Sequence, residues 1–188
     1  MVKPLNYFKH PLAQVDDGAQ VGNGTRVWAF CHIQSGAKVG KDCNVCNGTF
    51  IEKGAVVGDN VTIKHNVSIF DKVTIEDYVF IGSNIAFIND KFPRSKRSDP
   101  SRFETTLVKK GATLGANAVI LCGISVGQYA MVGAGAVVTK NVEDHALVVG
   151  NPAKMRGYVC MCGDVLNASL SCKCGKTYTK MKKGLVPA

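Results

Sequence analysis

The chain has 188 residues, enough for one compact domain and a small appendage, and no apolar run long enough to cross a bilayer as a helix. Hydrophobic residues make up 46% but aromatics only 7%, with 20 glycines, which excludes a core of large rings and favours many small aliphatic side chains. The formal charge of +9 fits nucleotide phosphates on a small substrate as well as nucleic acid, and a solvated surface with no partner at all fits it too. Because the basic residues are scattered outside the loop at 91–102 and the tail, neither a nucleic-acid nor a membrane partner is expected.

The N-terminal MVKPLNYFKH lacks the apolar stretch of a signal peptide, and eight cysteines then point to a reducing compartment, so a cytoplasmic protein is expected. From Val15 the chain counts in sixes. Val15, Val21, Val27, Ile33, Val39, Val45, Ile51, Val57, Ile63, Ile69, Ile75 and Ile81 are all Val or Ile, and Phe87 continues the series. The register breaks there and resumes with Val108, Leu114, Ile120, Val126, Val132 and Val138. Neither a strand nor a helix has that period, so the pattern predicts a solenoid. Each hexad makes a short strand and a turn, and three hexads close a triangular coil of 18 residues. Coils then stack at about 4.8 Å with the aliphatic residues inside. The hexads predict an all-β parallel β-helix of about six coils over residues 1–150. A C-terminal extension follows over 151–188. Gly after the inward residue, at 22, 40, 58, 82, 115, 127 and 133, reads as the response to a tight corner.

Residues 18 apart lie on successive coils, so Asn66 falls under Asn84 and Asp71 roughly under Asn89. The first pair is expected to form a ladder of side-chain hydrogen bonds. The second stands where an inserted loop departs, and a carboxylate there is expected to orient the Asn amide. The loop, 87–106, reads FINDKFPRSKRSDPSRFETT and is basic through Lys91, Arg94, Lys96, Arg97 and Arg102. Arg94 and Lys64 are candidate contacts for phosphate or carboxylate. His65, beside Lys64, is the best placed of the four histidines to act as a general base.

Two later segments, LGANAVI at 114–120 and VGAGAVV at 132–138, are also 18 apart and nearly all small. Such a surface suits a long, thin ligand bound through main-chain amides. The tail carries CMCG at 160–163 and CKCG at 172–175, so Cys160, Cys162, Cys172 and Cys174 form a candidate four-thiolate structural zinc site. CxC is a less familiar spacing for such a site than CxxC. Cys31, Cys43, Cys46 and Cys122 fall within the coils and read as core or corner thiols.

VGAGAVVTKNVEDHALVVGNPAK resembles the closing signature of the hexapeptide acyltransferases, which use acetyl-CoA. More narrowly, GTRVWAFCHI, NVSIFDKVTIEDYVFIG, FINDKFPRS and TLVKKGATLGANAVILCG resemble the nucleotide-linked 3-amino-sugar N-acetyltransferases. The resemblance covers about residues 10 to 157. It implies a left-handed β-helix, a homotrimer, and acetyl transfer to the 3-amino group of UDP-2-acetamido-3-amino-2,3-dideoxyglucuronate for a surface polysaccharide. A dTDP-linked 3-amino-3,6-dideoxyhexose is the alternative acceptor. Residues matching the family place Asn89 beside the reacting amine and the CoA thioester near Gly115, Ala116, Gly133 and Ala134. Lys154 and Arg156 would meet its phosphates. Apart from the resemblance, Lys64, Asn66, Asn84 and Arg94 are the candidate contacts for the sugar nucleotide. Family members often have His where this chain has Ala29. A metal hydratase on the same scaffold would need closely spaced His ligands, and the gaps of 22, 33 and 80 residues between histidines exclude it. A non-catalytic β-helix scaffold would not need the closing signature.

Overall fold

The computed structural model describes residues 6–96 and 99–188. Strands of mostly two residues form three parallel faces of a triangular solenoid. The first face runs Phe8–Lys9, Arg26–Val27, Asn44–Val45, Thr62–Ile63, Phe80–Ile81, Thr113–Leu114, Met131–Val132 and Ala146–Val149. It ends on the antiparallel edge strand Lys154–Tyr158. The second face runs from Gln14–Val15 to Val137–Val138, and the third from Gln20–Val21 to Ser125–Val126.

Register follows the hexads: Val27 pairs with Val45, Val45 with Ile63 and Ile63 with Ile81. The hexad aliphatics fill the axis, with Val27, Ile33, Val45, Ile51, Ile63, Ile69, Ile81 and Ile120 wholly buried. A second inward residue stands two places before each, and there the chain uses Ala37, Cys43, Thr49, Ala55, Val61, Ala112, Ala118 or Ala130. Pairing a branched residue with a smaller one keeps the cross-section even from coil to coil. Buried hydroxyls find partners: Thr25 Oγ1 donates to Gly40 O at 2.7 Å and accepts the Cys43 N–H at 3.0 Å. Cys31, Cys43, Cys46 and Cys122 are buried free thiols.

One expectation changes. The first face stacks eight parallel strands rather than about six coils, because Phe8–Lys9 and Ala146–Val149 join through the backbone without an inward hexad residue at the counted position. The glycines after the inward residue stand, as expected, where a tight corner leaves no room for a Cβ. Left-handed backbone occurs two residues later, at Gly24, Asp42, Asn60, Asn66 and Asn84 among others. Gly82 lies outside that region, yet a Cβ there would stand 2.5 Å from the Ala116 nitrogen of the next coil. Close backbone approach at the corner, rather than a positive φ, demands glycine.

The inserted loop leaves after Ala86–Phe87 and returns at Thr106–Val108, where Ile75 pairs with Val108 and the stack continues. The loop base is clamped by Lys72 Nζ donating to Phe103 O at 2.9 Å and by a 2.8 Å Lys91–Glu104 ion pair. Beyond Val159 a second small core gathers Cys160, Leu166, Cys172, Tyr178 and Leu185. His145 is buried between the two cores. Burial pushes its imidazole below the ordinary value, and its Nδ1–H donates to Val159 O at 2.9 Å. Among the described residues no helix is long and apolar enough to cross a membrane.

Comparing Gly82→Ala with Gly135→Ala separates the two roles of glycine. A Cβ at Gly135 meets nothing within 4 Å but sits at φ 68°, so its cost should be about 1–2 kcal/mol. Gly82→Ala must push neighbouring backbones apart, and a larger loss in urea unfolding is expected. Equal costs would contradict this account.

Candidate functional site

The turn from the first face to the second stacks Lys64-His65-Asn66, Gly82-Ser83-Asn84, Gly115-Ala116-Asn117 and Gly133-Ala134-Gly135 into one column. Pairing of Ile63 with Ile81, Ile81 with Leu114 and Leu114 with Val132 sets that order. The third residue of each turn has positive φ, at 58° for Asn66 and Asn84, 60° for Asn117 and 68° for Gly135. Asn and Gly are the residues that tolerate it. Asn66 Nδ2 donates to Asn84 Oδ1 at 3.4 Å, which is the expected ladder. Eight of the residues singled out from sequence (Lys64, His65, Asn66, Asn84, Gly115, Ala116, Gly133 and Ala134) thus share one corner.

The second residue of every turn presents a backbone N–H that the coil stack does not use. In the other two corners an acidic or amide side chain from a neighbouring coil accepts six of these groups, while those of Asp17, Asn23, Asp77, Cys122 and Lys140 have no protein acceptor among the described residues. Lys41 and Asp59 donate to Asp59 and Asp77 at 2.7 and 2.8 Å, and Lys110 and Gln128 donate to Glu76 and Asp144 at 2.8 Å. Lys53 and Asp71 donate to Gln34 at 3.1 Å and Glu52 at 2.8 Å. In the first corner the equivalent N–H groups belong to Ala29, Asn47, His65, Ser83, Ala116 and Ala134. Among the described residues none of these six donates to a protein acceptor. No Asp or Glu occupies the first or second turn position in that corner from Trp28 to Ala134. The column is therefore a row of open donors at coil spacing, about 4.8 Å, lined near its top by Gly115, Ala116, Asn117, Gly133, Ala134 and Gly135. Sequence reading found the small residues but not the missing carboxylates, which become visible once each hexad is assigned to a corner.

Asn89 lies at the next corner, half-buried, between Asp71 and Cys122 by register, since Ser68 pairs with Ala86 and Phe87 with Ile120. The expected Asp71–Asn89 hydrogen bond does not form among the described residues. Asp71 Oδ1 instead accepts the Lys72 N–H at 2.8 Å, which closes the turn locally. His65 is exposed in the column, so a single chain does not bring it to Asn89 and Asp71. One side of the triangle separates them, on the order of 15 Å for five extended residues. That side, the second face, presents the modest side chains of Ser68, Ala86, Val119 and Val137 in its later coils and the larger Gln14, His32 and Phe50 in its earlier ones.

Arg94 is exposed in the loop, with Nη1 donating to Pro93 O at 2.8 Å. Arg97 lies outside the described residues. The Glu104 hydrogen bond raises the Lys91 pKa, so that amine remains a cation beside the loop base. Lys154 and Arg156 are exposed on the edge strand beyond the top of the column. A cleft of about 750 Å³ opens instead beside Asp16, Gly22, Lys41 and Asp59 in the N-terminal coils and touches none of the column.

Residues 18–53 match the family model described as bacterial transferase hexapeptide (six repeats), and residues 110–140 match the hexapeptide repeat of succinyl-transferase. These two segments of the chain are thus similar to hexapeptide-repeat families. The repeat fits a left-handed parallel β-helix. Over 90 residues it is 51% identical to the dTDP-3-amino-3,6-dideoxy-alpha-D-galactopyranose 3-N-acetyltransferase of Aneurinibacillus thermoaerophilus, covering 46% of each chain. Over 49 residues it is 53% identical to serine acetyltransferase 4 of Arabidopsis thaliana, covering 26% of this chain and 14% of that one. The chain matches about half the length of the first relative and less of the second. Among solved structures, WeeI from Acinetobacter baumannii AYE shares 26% identity at a TM-score of 0.50, over 78% of this chain and 56% of that one.

Amide exchange tests the open column. The Ala116 and Ala134 amides should exchange faster than the capped Lys41, Asp59, Lys110 and Gln128 amides. In Ala134→Asp the new carboxylate should slow Ala116, as Asp59 does for Lys41. Equal protection in the unsubstituted protein would show that the column amides are not free.

Proposed function

We propose that this chain is an acetyl-CoA-dependent N-acetyltransferase acting on the amino group of a nucleotide-linked sugar. The observation that carries the reading is the uncapped column of amides. A pantetheine arm is thin, and its two amide carbonyls need donors along its length. The open N–H groups at Ala116 and Ala134 supply such donors beside a Gly/Ala wall that keeps the backbone within reach. Lys154 and Arg156, exposed beyond the column, suit the CoA phosphates. The 51% match to an N-acetyltransferase of a dTDP-linked amino sugar supports the reaction class.

Two corners of one chain lie too far apart for Asn89 to reach a thioester in its own column. We therefore place the site between chains of a homotrimer, with the Asn89 corner of one subunit facing the amide column of the next. The small side chains of the later coils on the second face, Ser68, Ala86, Val119 and Val137, suit that packing. In this arrangement the neutral sugar amine attacks the thioester carbonyl, the C–N bond forms and the C–S bond breaks, leaving CoA thiolate. Asn89 accepts a hydrogen bond from the amine and aims its lone pair, and a column N–H stabilises the developing oxyanion. The amine proton passes to the thiolate or to water. Sugar amines are weak enough bases for this route to run without a strong general base. His65 retains that role as an alternative, and Asp71 acts on the Asn89 corner through Lys72. Lys64, Asn66, Asn84 and Arg94 are the polar groups available to the sugar nucleotide.

The acceptor follows from two lines that differ. The closing and loop motifs resemble enzymes of UDP-linked 3-amino-uronates, whereas the relative with 51% identity acts on a dTDP-linked 3-amino-6-deoxy sugar. Incubation with acetyl-CoA and both acceptors, followed by mass spectrometry, decides the matter. Acetyl gain on one acceptor names the nucleotide and sugar, and gain on neither overturns the transferase reading. With the accepted sugar, Asn89→Ala should lower kcat about 10- to 1000-fold. An unchanged kcat would remove Asn89 from the mechanism. Loss of the pH–rate profile in His65→Ala would assign the proton to His65 instead.

A further inference from the structure

The densest cluster of reactive side chains outside the column lies in the C-terminal extension. Cys160–Gly163 and Cys172–Gly175 fold into two turns of the same form. Gly163 and Gly175 donate to the carbonyls of Cys160 and Cys172 at 2.9 and 3.0 Å. Cys160 and Cys172 in turn donate to Asp164 and Lys176, both at 2.8 Å. Both glycines have positive φ, 98° and 88°, so the turn has a backbone reason for glycine after the second Cys. An antiparallel bridge flanks each turn, Val159 with Val165 and Ser171 with Thr177.

The paired turns bring all four Sγ atoms within 4.8 Å of one another. Cys160 and Cys174 approach to 3.6 Å, and Cys162 and Cys172 to 3.5 Å. A disulfide needs about 2.05 Å. Four thiolates around tetrahedral zinc, at about 2.3 Å each, lie about 3.8 Å apart. The observed spacing is that of a metal site, and the glycine turns make CxC serve where CxxC is usual. The surrounding core is only Cys160, Leu166, Cys172, Tyr178 and Leu185. A unit of about 30 residues with so small a core needs a staple.

We propose that Cys160, Cys162, Cys172 and Cys174 bind one zinc ion as a tetrathiolate, and that the metal holds a clasp over the C-terminal end of the β-helix. Binding releases the thiol protons to solvent. Tyr178 connects the site to the solenoid: its hydroxyl lies 3.1 Å from Cys160 Sγ and accepts the Met161 N–H at 3.0 Å. Its ring packs 4.8 Å from that of His145, which stacks at 5.3 Å on Tyr129 of the last turns. The following hairpin reaches the same end. Asp144 N–H donates to Lys183 O at 3.1 Å and Leu185 N–H donates to Asp144 O at 3.2 Å. The clasp thus covers the open edge left where the hexads stop.

Metal analysis of the full chain should find about one zinc per chain. Cys162→Ser and Cys174→Ser, both at exposed positions, should lose it while far-UV circular dichroism still reports the β-helix. Cobalt(II) exchanged into the site should show the charge-transfer absorption of a tetrathiolate, absent from both variants. Chelated protein should exchange the Asp144 and Leu185 amides at least tenfold faster, with the Lys41 amide unchanged. Metal-free protein as purified, unchanged metal content in both variants, or Cys–Cys disulfides by mass would overturn the site. Unchanged exchange at Asp144 and Leu185 after metal removal would overturn the clasp.

Discussion

The structure depends on one constraint, that each coil must lie directly on the last so that every short strand finds a parallel partner. Two-residue strands hold almost nothing alone, and their hydrogen bonds exist only between coils. The 18-residue register from Val27 through Val45 and Ile63 to Ile81 follows from it. So do the even interior, in which branched and small inward residues alternate, and the glycines where backbones come closest. The constraint also governs the inserted loop. The chain can leave the stack after Phe87 only because it returns at Thr106 in register, with Lys72, Lys91 and Glu104 holding the base shut.

Stacking satisfies the strands but leaves one amide donor per turn. Two corners close six of these donors with Asp, Glu and Gln side chains taken from the neighbouring coil. The third corner closes none of them. An uncapped exposed amide is hydrated at little cost, so the column does not burden the fold, while a ligand carbonyl that displaces the water finds donors already aligned. Binding groups and fold thus come from the same turns, and the difference between a structural corner and a candidate binding corner is the absence of a carboxylate.

The ends of a solenoid have no further coil to pair with. At the C-terminal end the antiparallel strand Lys154–Tyr158, the hairpin at 178–187 and the paired cysteine turns occupy that edge. Tyr129, His145 and Tyr178 carry the packing from the last turns into the small second core. The basic residues Lys154 and Arg156 stand on the strand between these elements, so whatever orders the extension also positions them.

The repeat, its break and the paired CxCG turns are legible in the sequence because each is a periodic or local pattern. A buried position every sixth residue leaves its mark in the side chain, and a turn that needs positive φ selects Gly or Asn wherever it occurs. The stacking of Asn66 on Asn84 follows from counting alone. Sequence could not decide what depends on neighbours 16 to 34 residues away. It read the glycines after the inward residue as corner positions without room for a Cβ, but not that the next coil's backbone is what fills that room. It paired Asp71 with Asn89, although the carboxylate is used one residue on by Lys72. It counted too few coils, since the first and last strands join through backbone bonds that carry no hexad signature. And within one chain a side of the triangle lies between His65 and Asn89, which counting along the sequence does not show. Periodicity specifies which side chains point inward, while the contacts among corners are set by how one coil lies on the next.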